Sequence, residues 1–173
     1  MIEPIRESKI SAEVQGKVTR VAVEVGQKVA ANQVLVQQDV ALLQLQLKAA
    51  EVQKGGLEAD LKRYRILVEN EAIQGIQLEK TELALAGLEV QLATLKEQIA
   101  KSSIRAPFGG IVTAKMTEAG DFAAPGKPLI QVTDLSRVKL TVQIPESGLN
   151  YFQSGSSQLV TINSLSKEIP AQV

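Results

Sequence analysis

The residue types that most often carry enzyme chemistry are sparse in this chain. Among its 173 residues there is no cysteine and no histidine. That removes thiolate nucleophiles, thiolate or imidazole metal ligands and imidazole general bases, and it leaves no disulfide to report a redox compartment. Carboxylate pairs such as Glu69 and Glu71 lie in charged helical or turn contexts, where a solvated face is the expected role. The pair Gly109-Gly110 is followed by strand-like residues and by no GKS or GKT, so it is not a phosphate loop. With 19 basic and 19 acidic residues the chain has no net field to draw nucleic acid. No apolar run approaches the roughly 20 residues needed to cross a bilayer as a helix. The expectation is a protein without catalysis, metal, cofactor or nucleic-acid partner.

The elements that would position any functional residue are announced by a repeat. Gly16 to Gly26 reads GKVTRVAVEVG, and 94 residues later Gly110 to Gly120 reads GIVTAKMTEAG. Over Ile10 to Asp39 against Ile104 to Thr133, ten of thirty pairs are identical, among them Ala12 with Ala106, Val18 with Val112 and Leu35 with Leu129. Two copies so far apart read as halves of one β domain, with Val18 and Val112 in a shared core. In the first half Val21, Val23 and Val25 alternate with Ala22 and Glu24 as a strand, and Val34 begins another. Gly26 and Gly120 are placed where a turn calls for positive φ.

Between the halves the period changes. Leu43, Leu47, Ala50, Lys54, Leu57, Leu61, Tyr64 and Val68 alternate spacings of four and three, and so do Leu78, Thr81, Leu85, Leu88, Leu92, Leu95 and Ile99. These are two coiled-coil seams, and the break at ENEAIQG, Glu69 to Gly75, folds them into an antiparallel hairpin. A helix over 40–69 would run roughly 45 Å, well beyond a small β domain. Gly55-Gly56 inside it costs about 1 kcal/mol per glycine relative to alanine, which calls for a bend or a close approach of the partner helix. After the second half, Val138, Leu140, Val142 and Ile144 alternate with polar residues until Pro145, Glu146 to Phe152 could form a short helix, and Leu159 to Ile162 starts another strand.

Together these residues resemble the periplasmic membrane fusion proteins, the adaptors of tripartite efflux and secretion systems in Gram-negative bacteria. The resemblance rests on VQGKVTRVAVEVGQKVAANQVLVQQD, on SIRAPFGGIVTAKMTEAGDFAAPGKPLIQVTD, on the heptad helices between them and on VKLTVQIPESGLNYF. It implies an α+β multidomain fold: a lipoyl-like β sandwich split by an antiparallel coiled-coil α-hairpin, plus part of a β-barrel domain. The implied domains are a strand leading from the barrel at 1–9, lipoyl-like halves at 10–39 and 102–135, the hairpin at 40–101 with its tip at about 69–75, and a partial barrel at 136–173. It further implies a longer natural protein, periplasmic and anchored to the inner membrane outside this stretch. Its partners would be an inner-membrane transporter, proton-driven or ABC type, an outer-membrane channel and further copies in a ring.

Two other readings compete. A lipoyl or biotinyl carrier presents a modified lysine on the turn joining the halves, whereas here Gln38-Asp39-Val40 runs into a helix and no lysine stands there. A structural coiled-coil interaction protein would explain the seams and leave the matched β halves unexplained. In pump-associated adaptors the hairpin tip carries an Arg, a Leu four residues later and a Ser seven after that, used to dock on the channel's own helical hairpins or another adaptor surface. From Arg63 this chain reads RYRILVENEAIQ, so Arg63 and Leu67 match and Gln74 stands in the serine position. Gln74 can still donate and accept a hydrogen bond. The two methionines of the chain are too few for the methionine ligand sets of copper-exporting relatives.

Overall fold

A computed structural model describes residues 2–70, 75–143, 153–162 and 167–173. In chain order the elements are β1 (Ile2–Ser11), β2 (Gly16–Val21), β3 (Lys28–Val29), β4 (Val34–Gln38), α1 (Ala41–Glu69), α2 (Ile76–Lys101), β5 (Ser103–Arg105), β6 (Gly110–Lys115), β7 (Phe122–Ala123), β8 (Pro128–Leu140), β9 (Ser157–Ile162) and β10 (Lys167–Gln172). The chain divides into two units, Pro4–Arg137 and a smaller one formed by Met1–Glu3 with Val138–Val173.

In the larger unit the sequence repeat becomes an exchange of strands. One sheet runs β5-β4-β2-β7 and the other β1-β8-β6-β3, so the short strand of each half is bonded into the sheet of the other. Gly16 pairs with Ala123 and Lys17 with Phe122, while Gly110 pairs with Val29 and Ile111 with Lys28. Each of these pairs maps onto its counterpart by the 94-residue shift. The same holds for the bulges, which fall between Val18 and Arg20 in one half and Val112 and Ala114 in the other. It holds for turn bonds as well: Gly26 N donates to Val112 O, and Gly120 N donates to Val18 O, both at 2.8 Å. A strand of two residues bonded across halves cannot hold its place alone, so neither half can close without the other.

The core follows the same symmetry. Val18, Val112, Leu35 and Leu129 have no exposed surface, and with Ala12, Ala106, Ile104, Ile130 and Val132 they form one cluster drawn from both halves. Gly26 and Gly120 take φ of +87° and +101°, as their turns require.

Two strand expectations change. The first strand ends at Val21 rather than running on through Val25. Val23 is buried, but Val25 is 58% exposed, because the chain has left the sheet and is already turning into Gly26. Further on, the expected boundary between 135 and 136 falls inside β8, which continues unbroken to Leu140 because no glycine or proline interrupts it. Val142 lies outside any strand.

The hairpin is two uninterrupted helices of 29 and 26 residues. Every expected seam residue, from Leu43 to Val68 and from Leu78 to Ile99, is buried or half-buried. Ala50, Leu88, Leu92 and Leu95 are its closed center, with Leu43, Leu47 and Leu57 packed against them. Gly55 and Gly56 do not meet the partner helix: a Cβ on either would find nothing within 4 Å. They sit on the outer side, so the expected close approach does not occur within this chain.

In the smaller unit β9 and β10 pair antiparallel, from Ser157 opposite Gln172 to Ile162 opposite Lys167. Gly155, at φ +85°, starts this hairpin and donates its N–H to Val173 O at 2.9 Å. The expected helix at 146–152 lies outside the described residues.

Candidate functional site

The hairpin leaves the β core where the first half would otherwise turn back. Gln38 N donates to Ser102 O at 2.9 Å and Gln37 pairs with Ser103, so the chain departs and returns through neighbouring strands. Buried Gln38 anchors this root by donating its Nε2 to Val14 O at 3.0 Å. Asp39 Oδ1 accepts from Ala41 N at 2.9 Å, which helps start α1.

Along the hairpin the two flanks differ in chemistry. On one flank Lys54 Nζ lies 2.8 Å from Glu89 and 3.6 Å from Glu58, and Arg65 lies 3.1 Å from Glu82. The Glu89 hydrogen bond, with its charge, raises the Lys54 pKa above its ordinary value. On the other flank Gln46, Gln53 and Gln91 line a shallow groove of about 330 Å³ with Ala49, Ala50 and Leu95. Sequence reasoning placed Lys54 in the seam and missed its pairing across to Glu89, and it missed Arg65 with Glu82. The signal was present in opposite charges: Lys54 within the first seam and Glu89 beside the second, and Arg65 and Glu82 each beside a seam.

At the tip, α1 ends at Glu69, and Asn70 closes it by donating its Nδ2 to Ile66 O at 2.7 Å. Arg63 is 66% exposed and held by Asp60 at 3.3 Å, one turn back on the same helix. Leu67 is half-buried one turn further on, so the two candidate docking residues share a side of α1 next to the tip. Gln74 lies outside the described residues.

A second charged cluster, missed by sequence reasoning, sits at the far end of the β core. Lys115, with a side chain 15% exposed, places Nζ 3.0 Å from Glu24 Oε2 and 2.9 Å from Glu118 Oε1. Glu24 and Glu118 are counterparts under the repeat, so one lysine ties together the equivalent turns of both halves. The Glu118 hydrogen bond, followed by that of Glu24, raises its pKa. Among the described residues no group of three or more acidic side chains is arranged to hold a metal ion, and no described helix is long and apolar enough to cross a membrane.

A strand-exchanged β sandwich interrupted by an antiparallel helical hairpin defines the class of membrane fusion proteins. Residues 6–135 match the family model described as RND MFP, barrel-sandwich hybrid domain, and the chain belongs to that family. It is 28% identical to the uncharacterized protein YdhJ of Escherichia coli, over 95% of this chain and 62% of the relative. To the multidrug resistance protein MdtA of Photorhabdus laumondii it is 25% identical, over 86% of this chain and 41% of the relative. The chain thus spans about half the length of the curated relatives it matches. Its fold is shared with a MacA-MexA chimera carrying the Pseudomonas aeruginosa MexA α-hairpin, at TM-score 0.84 and 21% identity over 99% of this chain and 63% of that one. The membrane fusion protein Spr0693 of Streptococcus pneumoniae gives 0.74 at 15% identity, over 99% and 80%.

Proposed function

We propose that this chain is part of a periplasmic adaptor that joins an inner-membrane transporter to an outer-membrane channel, with several copies arranged as a ring around the transported substrate. The observation that carries the reading is the hairpin itself: two helices, the longer roughly 44 Å, rooted in a closed β core and offering an exposed arginine beside their tip. Such an arm suits the spanning of a gap between two partners. Membership of the RND adaptor family favours a proton-driven pump over an ABC transporter, and the name of the MdtA relative favours efflux. In this reading the protein is anchored to the inner membrane outside the present stretch and performs no catalysis.

Arg63, Leu67 and Gln74 are the proposed docking residues for the channel. Arg63→Asp should leave folding within about 1 kcal/mol of wild type, since an exposed ion pair contributes little. It should nevertheless weaken association with the channel by reversing a charge at the contact. Leu67→Ser should act in the same direction by removing an apolar anchor. Melting curves, channel pull-down and efflux complementation of a strain lacking the native adaptor check both. Normal association and transport by both variants would leave the tip without a docking role.

A further inference from the structure

The two halves of the repeat bury the same residues but do not present the same outer faces. The four strands of the sheet β5-β4-β2-β7 contain Lys17, Arg20 and Arg105 and no aspartate or glutamate. Val18, Val36 and Ile104 are buried in the core, so their neighbours Lys17, Gln37 and Arg105 stand on the outer face, and the bulge after Val18 brings Thr19 and Arg20 out beside Gln37. Phe122 lies directly across from Lys17 on the same face and is 62% exposed, the one exposed aromatic ring among the described residues. At the edge of the sheet Lys127 donates its Nζ to Phe122 O at 3.3 Å.

The fold does not demand this chemistry. Under the 94-residue shift Lys17, Arg20 and Arg105 correspond to Ile111, Ala114 and Ser11, and Phe122 to Lys28, so equivalent positions do without these cations and this ring. Nor do neighbouring acids neutralise the face. Asp121 accepts from Glu118 N at 2.9 Å, Asp39 from Ala41 N at 2.9 Å, and Glu13 pairs with Lys101 at 3.4 Å. Lys54, Lys101 and Lys115 each lie between two glutamates, whereas among the described residues Lys17, Arg20, Arg105 and Lys127 form no ion pair.

We propose that this face binds an anionic glycan, a chain of pyranose rings bearing carboxylates, of the kind found in the cell wall of the periplasm. The Phe122 ring, negative over its center, attracts the polarised C–H bonds on one side of a pyranose. Lys17 and Lys127 flank the ring to take carboxylates, and Arg20 and Arg105 carry the positive charge on across the sheet. Between them Thr19, Gln37 and Ser103 offer neutral donors and acceptors to hydroxyls. Thr19 donates its own hydroxyl to Gln37 O at 3.0 Å and keeps its lone pairs free to accept. Four strands spaced about 4.8 Å apart make a platform about 14 Å across, room for a few rings in a row. An acidic protein surface would not call for this hydroxyl-matched middle, and a membrane would call for an apolar wedge that one ring on a flat strand does not supply. The site rests on the periplasmic reading given above and adds a stationary partner to it.

Peptidoglycan sacculi are the probe, intact or with their carboxylates amidated, beside vesicles of phosphatidylglycerol, and bound protein is read by co-sedimentation. Wild type should pellet with intact sacculi, less so as salt is raised, and stay in solution with amidated ones. Lys17→Gln with Arg20→Gln, and separately Phe122→Ala, should keep the melting temperature and weaken binding by roughly tenfold or more. Lys48→Gln with Lys62→Gln, the same loss of charge on α1, should bind as wild type does. Equal pelleting with amidated sacculi, full binding by both face variants, or binding to vesicles alone would each overturn the glycan site. A change of oligomeric state in the face variants would overturn it too, by assigning the face to a contact between copies. Wild type that is pulled down by the channel and ignores sacculi would overturn this site and leave the adaptor reading standing, while wild type found in the cytoplasm of the cell would overturn both.

Discussion

Gly16 and Gly110 are counterparts in the repeat, yet their surroundings differ, and the difference is measurable. A Cβ at Gly110 would fall 2.6 Å from Thr133 O, a backbone atom that cannot move without breaking the sheet, whereas at Gly16 the nearest atom is 3.4 Å away on the Gln38 side chain. Gly110→Ala should therefore cost about 1–3 kcal/mol and Gly16→Ala clearly less, read from urea midpoints. Lys115 gives a prediction in pH. Its pKa is raised from 10.5 by its bonds to Glu118 and Glu24. A raised folded-state pKa gives stability that is fully present below the unfolded value and is lost as pH rises through the folded one. The melting difference between wild type and Lys115→Met should thus hold constant from about pH 6 to about 9 and shrink only beyond roughly 10.5.

At the scale of the helix, the inner seam and the glycines pull in opposite directions. The seam of Ala50, Leu88, Leu92 and Leu95 holds α1 to α2, while Gly55 and Gly56 weaken α1 without touching α2. Replacing either by alanine should stabilise the hairpin by about 1 kcal/mol at concentrations low enough to keep the chain dissociated, because the helix gains propensity and meets no clash. Thermal melts followed by helical circular dichroism check this. A loss of stability would mean that the glycines relieve a strain inside the helix.

For the whole molecule, the buried cluster of the β core contains no residue of the hairpin. That cluster is drawn from Ala12 to Val36 and Ile104 to Val132, and the chain ends at the hairpin root are already joined by the Gln38 to Ser102 hydrogen bond. Replacing residues 40–101 by an Asn-Gly turn should therefore leave a folded, cooperative β domain. A cooperative melt with strand-type circular dichroism is the expected outcome. An unfolded product would show that the helices hold the halves together.

The seams were legible because a heptad pattern names the buried face of a helix whatever lies around it, and every named position from Leu43 to Ile99 came out buried or half-buried. The shared core was legible through the repeat, since equal sequences in equal positions bury the same residues, as Val18 and Val112 do. Arg63, Leu67 and Gln74 were marked by a spacing borrowed from resemblance; the first two stand on α1, Gln74 lies outside the described residues, and their partner is left to experiment. Other features waited on tertiary structure, because they depend on residues far apart in the chain. Strand pairs of two residues, such as Lys28–Val29 with Gly110–Ile111, carry too little local pattern to announce that the halves trade strands. The meeting of Lys115 with Glu24 spans 91 residues. The empty space beside Gly55 and Gly56, where a bend or a close approach of α2 was expected and the approach is not found, is a property of how two helices lie together and not of either sequence alone.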